Sequence, residues 1–385
     1  MSGGAFAQAT VFALGVQPYI NSSIIIQLLT IAIPALERLA RDGGEEGKKK
    51  IQSITRYATV AIAILQGWGY YVLMKTNGIL TTSGVWAALV IIASFIAGSS
   101  FVMWMGEQIN EFGIGNGISI ILFAGIVSRI PALIPQLFGG SGTGSYWSRG
   151  GVYYFLSPFV CVILILMVAF IVWMDNAERR IPVQYAKRVV GRKMYGGQNT
   201  HIPIKVNMSG VMPIIFAGSI LSIPPTIQMF IPSAKLADSK FWTGFFKVFT
   251  STHWAYGIIY FILIIAFAYF YSSIQYNPIE MSQNIAKNGG MIPGIRTGRP
   301  TSDYIARIIS RITLLGALLL SVVAIFPIVF SQLTTLILTK TTVYADGMNV
   351  SLGGTSIIIL VGVALETVKQ LESQMMMRHY KGFLD

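Results

Sequence analysis

The sequence predicts an all-α polytopic membrane protein, and three observations predict it. Of 385 residues, 54% are hydrophobic and only 11% charged, with a mean hydropathy of +0.64. A soluble domain is about 25% charged. Apolar runs follow one another along the chain, and ionisable side chains sit in the connections or at run ends, as Arg56 and Arg129 do. The connections also alternate between strongly basic and weakly charged, which is the imprint of membrane topology.

A membrane helix needs about 20 apolar residues. Nine runs reach or approach that length. Val11–Leu36 carries Pro18 and, just after it, the polar trio Asn21-Ser22-Ser23; proline is tolerated in membrane helices. Ile54–Met74 and Val85–Met105 follow. Ile118–Ile130 is short, so its helix is expected to start within GIGNGIS, Gly113–Ser119. Val152–Met174 holds the single cysteine, Cys161, which excludes an intrachain disulfide. Val206–Ile231 contains Pro213, Pro224 and Pro225. Ala255–Tyr271 is uninterrupted, and Ile312–Leu336 contains Pro327. Leu352–Leu365 is short and is expected to run on past Glu366 as an amphipathic end.

The net charge of +13 is unevenly spread. Gly43–Lys50, Ala177–Lys205, Asn277–Arg311 and the C-terminal tail, with their flanks, hold 21 of the 28 Lys and Arg residues. The opposite side holds the remaining 7. The positive-inside rule then places the basic loops and the C-terminus in the cytoplasm. Nine spans with that end inside put Met1–Thr10 outside. That segment is uncharged and lacks the basic region of a signal peptide, so a further span is expected to precede it.

Two of the basic loops are long enough to be functional. In the first, VQYAKRVV alternates and is followed by a glycine-bearing turn, which predicts a β-hairpin. In the second, NGGMIPGIRTGRP predicts a Gly/Pro turn that exposes Arg296.

Catalytic motifs are missing from the sequence. There is no HExxH, no GxSxG and no Gly-Lys-Ser/Thr phosphate loop. His201, His253 and His379 are far apart and lie outside the spans, so neither a metal site nor a cofactor is expected. GIGNG follows a membrane span, not a strand, and is read as a tight turn. A secondary transporter of a small solute is the competing class; it needs charges or ion ligands near the midplane. Apolar walls, kinked helices and uncharged span centres suit a passive pore better, since an apolar constriction can close by dewetting.

Five segments carry a family resemblance: FALGVQPYINSSIIIQLL (Phe12–Leu29), GEQINEFGIGNGIS (Gly106–Ser119), QNTHIPIKVNMSGVMP (Gln198–Pro213), PGIRTG (Pro293–Gly298) and GGTS (Gly353–Ser356). In order and over nearly the whole chain, they resemble the SecY family of protein-conducting channels. The resemblance implies two inversely related helical halves around a central pore, with nine of the family's ten transmembrane helices present here and the first missing. The halves would be 1–150 and 151–385. Such a channel passes secretory chains across the membrane and releases transmembrane segments sideways into lipid.

Position by position, the resemblance implies a pore ring of Val16, Ile20, Ile118, Leu122, Ile215 and Ile359. It implies a lateral gate between the first and second spans and the sixth and seventh, with Asn21, Gln66, Asn207 and Ile223 along it. The polar members are expected to pair across that seam, because an unpaired amide in a bilayer is costly. Ser2, Gly3, Gly4, Ala5 and Phe6 would be a remnant of the plug. Arg192, Lys193 and Arg296 would sit at docking tips for the SecA motor or the ribosome. The implied partners are SecE, SecG, SecA, the ribosome, unfolded clients with signal sequences and the lipid bilayer. The implied location is the plasma (inner) membrane of a bacterium rather than a thylakoid.

Overall fold

The computed structural model describes residues 9–41, 43–76, 78–80, 84–139, 146–147, 151, 153–185, 188–190, 193–195, 199–228, 240–250, 253–341 and 353–381. In chain order the helices are α1 (Gln17–Ala32), α2 (Pro34–Arg41), α3 (Gly44–Thr76), α4 (Val85–Phe112), α5 (Gly117–Val127), α6 (Ile130–Phe138) and α7 (Tyr153–Asn176). Four strands follow: β1 (Glu178–Tyr185), β2 (Arg188–Val190), β3 (Lys193–Tyr195) and β4 (Asn199–Lys205). Then come α8 (Met212–Gln228), α9 (Lys240–Val248), α10 (Trp254–Gln275), α11 (Pro278–Lys287), β5 (Gly290–Met291), α12 (Arg299–Thr341) and α13 (Gly354–Lys381).

The predicted spans fall on these helices in order. Among the described residues seven helical stretches are long and apolar enough to cross a membrane, and an eighth forms if α1 and α2 count as one broken span. The remaining predicted span is α8, which is apolar but shorter. The chain is a multi-pass membrane protein. As expected, α5 begins within GIGNGIS, and α13 runs past Glu366 to Lys381.

The first span differs from the prediction. Val11–Leu36 is not one helix: α1 stops at Ala32, and the chain bends by 105° into α2. Ile33 is extended, with φ −108° and ψ 113°. The ring of Pro34 imposes this, because it disfavours helical geometry at the preceding residue. Beyond the bend, α2 is amphipathic and carries Glu37, Arg38 and Arg41.

The all-α expectation also needs a small sheet added. The predicted hairpin is longer than VQYAKRVV: β1 and β4 form its antiparallel stem from Glu178↔Lys205 to Gln184↔Asn199, and β2 pairs with β3 beyond it. The other edge of β1 takes β5 from the second long loop, at Gln184↔Met291 and Tyr185↔Gly290. The two loops therefore form one body. Ile181 and Val183 alternate inward from β1 and bury against Ile204, Ile285, Ile292, Ile305 and Ile309. Alternation of this kind is the strand's period of two at work.

The main apolar core lies among the spanning helices. It joins side chains from α1, α4, α5, α6, α7, α8, α10, α12 and α13. Helix α8 leans on α10 through Phe216, whose ring meets Phe267 edge-on at 5.7 Å. Such edge contacts add to area burial in holding helices together.

Candidate functional site

Four helices bring one apolar stripe each to the centre of the molecule. On α1 and the residue before it, Val16, Ile20 and Ile24 recur every fourth position and are buried. On α5, Ile118, Leu122 and Ile126 repeat the pattern. Residues spaced by four lie on one helix face. Ile215 from α8 and Ile359 from α13 complete the set. All six expected ring residues fall in a single apolar cluster: Val16, Ile20, Leu122 and Ile359 are buried, and Ile118 and Ile215 pack against them.

The start of α5 is fixed by its own turn. The Asn116 side chain accepts from the backbone N–H of Ile118 at 3.1 Å and of Ser119 at 3.4 Å. Asn110 accepts from the N–H of Gly117 at 2.8 Å. Gly115 takes φ +84°, a conformation glycine adopts without strain. A β-carbon at Gly117 would overlap the carbonyl oxygen of Gly106, so α5 starts against the α4 backbone. GIGNG is thus the tight turn that the sequence predicts, capped in the structure by Asn116, and it sets the register of Ile118 and Leu122.

Two cavities lie at opposite ends of this cluster. One, of about 350 Å³, is lined by Gln17, Ser222, Tyr256, Pro327 and Gly354. The other, of about 550 Å³, opens beside the basic loops and is lined by Asn116, Asp175, Lys205, Glu366 and Lys369. Ile215 and Ile359 line both. They stand between a polar, charged vestibule and a smaller cavity with uncharged walls.

The residues expected along the gate are not joined in the way the sequence suggested. Asn207 does not turn its amide to Asn21 or Gln66. Its Nδ2 donates to Asp175 Oδ1 at 2.9 Å, at the end of α7. The reason is proximity: the β1–β4 stem draws the end of α7 and the chain leading into α8 together, and a carboxylate is the stronger acceptor. Asn21 is half-buried, with its Oδ1 shielded and unpaired, and Gln66 is half-buried on α3. Ile223 on α8 is 51% exposed.

At the tips, Arg296 is exposed in its predicted turn. Gly294 at φ +81° and Gly298 at φ +102° shape that turn. Thr301 Oγ1 donates to the Arg296 carbonyl at 2.8 Å, and Ser282 Oγ to the Gly298 carbonyl at 2.9 Å. Lys193 lies on β3. Arg192 and the plug remnant Ser2–Phe6 lie outside the described residues.

Of the polar contacts that sequence reasoning missed among the described residues, two centre on a carboxylate. Asp175 with Asn207 is one. The other is an ion pair: Arg56 Nε donates to Glu107 Oε1 at 2.8 Å, and Gln52 donates to the same oxygen at 3.2 Å. Glu107 is buried to 9% exposure while the Arg56 side chain is 49% exposed, so the pair lies at the edge of α3 and α4. The partners are 51 residues apart, and no local signal links them.

The sequence model of the SecY family matches residues 10–368. The protein translocase subunit SecY of Mycobacterium bovis is 44% identical over 396 residues, covering 100% of this chain and 85% of the relative. A solved protein-conducting channel is similar with a TM-score of 0.58 at 17% identity, over 94% of this chain and 82% of that one. An idle yeast Ssh1 complex bound to the 80S ribosome is similar with a TM-score of 0.58 at 14% identity, over 92% of this chain and 78% of its counterpart. With the family's segments running in order through these helices, the chain belongs to the SecY family.

Proposed function

We propose that this chain is the pore-forming subunit of a protein-conducting channel, passing unfolded clients with signal sequences across a bacterial plasma membrane and releasing transmembrane segments into lipid. One observation carries the reading: six aliphatic side chains from four helices meet in one cluster, and two of them line both central cavities. Branched aliphatic side chains can part around an extended polypeptide and close behind it. When closed, they exclude water, because wetting a narrow apolar neck is unfavourable.

Val16, Ile20, Ile118, Leu122, Ile215 and Ile359 form the ring in this reading. The lateral gate runs between α1 with α3 and α8 with α10. Residues 1–150 and 151–385 are the two halves, and SecE clamps them, with SecG alongside. The basic side, where the C-terminus lies, faces the cytoplasm and receives SecA or a ribosome on the body built from the two long loops. Cations there suit carboxylates on a motor and phosphates on RNA alike. The likeness to a ribosome-bound complex supports that side of the reading. The chain performs no catalysis itself, and its partners supply the energy. A solute transporter would need a coupling group at the constriction, and the six residues there are aliphatic.

The test is reconstitution of the full chain with SecE and SecG in liposomes, with SecA, ATP and a signal-bearing client. The client becomes protease-protected if the reading holds. A client that stays digestible, from vesicles in which all subunits have assembled, overturns it.

A further inference from the structure

The chain between β4 and α8 is held from three sides. The β1–β4 ladder does not stop at Glu178↔Lys205: the N–H of Val206 donates to the carbonyl of Ala177 at 2.8 Å. One residue further, Asn207 donates to Asp175 across the same junction at 2.9 Å. From the third side α12 approaches so closely that a β-carbon at Gly316 would overlap the Val206 carbonyl oxygen. Only a residue without a side chain fits there.

We propose that Asp175 is a positioning residue for channel gating: through Asn207 it fixes the start of α8 to the loop body, so that force on the loops reaches Ile215. The inference rests on the channel reading above. The physical argument is one of continuity. The sheet body is rigid, with Ile181, Val183 and Ile204 buried in its own core. Asn207 is buried to 7% exposure and lies five residues before the start of α8, which carries Ile215. One backbone hydrogen bond and one charge-assisted side-chain bond tie this chain to the end of α7, and the turn 208–211 carries it into α8, with Met208 buried in the core of the loop body and Val211 packed on the central cluster. A coupling claim needs an element that both sites bias, and the start of α8 is that element. In the closed arrangement the bond holds α8 in place. Losing it lets the neck open without a client's signal sequence.

The experiment uses the chain with SecE and SecG in liposomes, driven by SecA, and compares a signal-bearing client with one whose signal is disabled. Asp175→Ala is expected to raise the ratio of defective to normal client translocation about tenfold, the size expected when a bond to a charged group is lost from one state. SecA affinity should stay at the wild-type value, since the loop body is untouched. Asp175→Asn keeps an acceptor oxygen and should stay near wild type. Asn207→Asp sets two carboxylates together and should match or exceed the alanine variant. Asp175→Asn combined with Asn207→Asp restores one donor and one acceptor and should restore selectivity. A merely structural site would not show that reversal. An unchanged ratio in Asp175→Ala, or no recovery in the double variant, overturns the proposal. Wild-type vesicles that fail on the normal client count against the channel reading instead.

Discussion

At the scale of single residues, the proposed pore ring shows what sequence chemistry can and cannot select. Most span positions are aliphatic, so composition gives no reason to prefer Ile359 over Leu360. The family resemblance picked it, and the structure places it at 1% exposure, against both central cavities. Ile359→Asn should make the resting channel leaky to ions. An amide in the neck offers hydrogen bonds to water, so the dewetted state loses its advantage. Unhydrated, the buried amide would cost about 1–3 kcal/mol, which favours the wet state further. Ion conductance of the assembled complex in planar bilayers measures this, and a tight channel at normal protein levels would remove Ile359 from the ring. Asn207 teaches the opposite lesson. The resemblance singled it out, but its partner was not legible, because Asp175 is 32 residues away and reaches it only through the β1–β4 stem.

At the scale of elements, most of the secondary structure was legible because hydrophobic run length is a strong signal in membranes. The misreadings have local causes. Run length cannot see the bend in the first span, since Ile33 and Pro34 are both apolar, yet the proline bars Ile33 from helical geometry. Pro34→Ala removes that clash. It should let α1 continue toward α2 and reduce the 105° bend, seen as a longer distance between spin labels at exposed Ile25 and Glu37-flanking positions. An unchanged distance would mean that packing of α2 on α3 holds the bend, not the proline. The capped turn before α5 was legible as a turn but not as a cap. Asn116→Ala strips two backbone N–H groups of their acceptor and should cost about 1 kcal/mol. Thermal unfolding of the purified complex should show a lower midpoint. If the midpoint holds while Ile118 keeps its place, Asn110 alone fixes the helix start. The sheet was half legible: alternation marked β1, but its pairing with β5 spans about a hundred residues, beyond the reach of any local pattern.

At the scale of the whole molecule, two faces divide the work. One carries most of the positive charge and the sheet body. The other carries the smaller, uncharged cavity. The charge imbalance was fully legible, because it is a count over loops. That the two loops share one core was not, because Ile181 and Ile292 meet only after folding. This union makes a sharp prediction at Arg296. Its turn is braced by Thr301 and Ser282 through backbone carbonyls, and the guanidinium takes no part in either bond. Arg296→Glu should therefore leave the body folded while reversing the charge presented to a docking partner. Attraction to a carboxylate or phosphate becomes repulsion, which slows association and weakens the bound state. SecA-driven translocation in vesicles should fall about tenfold, equivalent to roughly 1.4 kcal/mol of lost docking. The deficit should shrink with added salt, as screening shortens the reach of exposed charges. Signal selectivity should not change, because the contact of Asp175 with Asn207 is intact. A translocation rate equal to wild type at low salt would reduce this tip to a solvated loop, and would leave the rest of the sheet body to carry the docking.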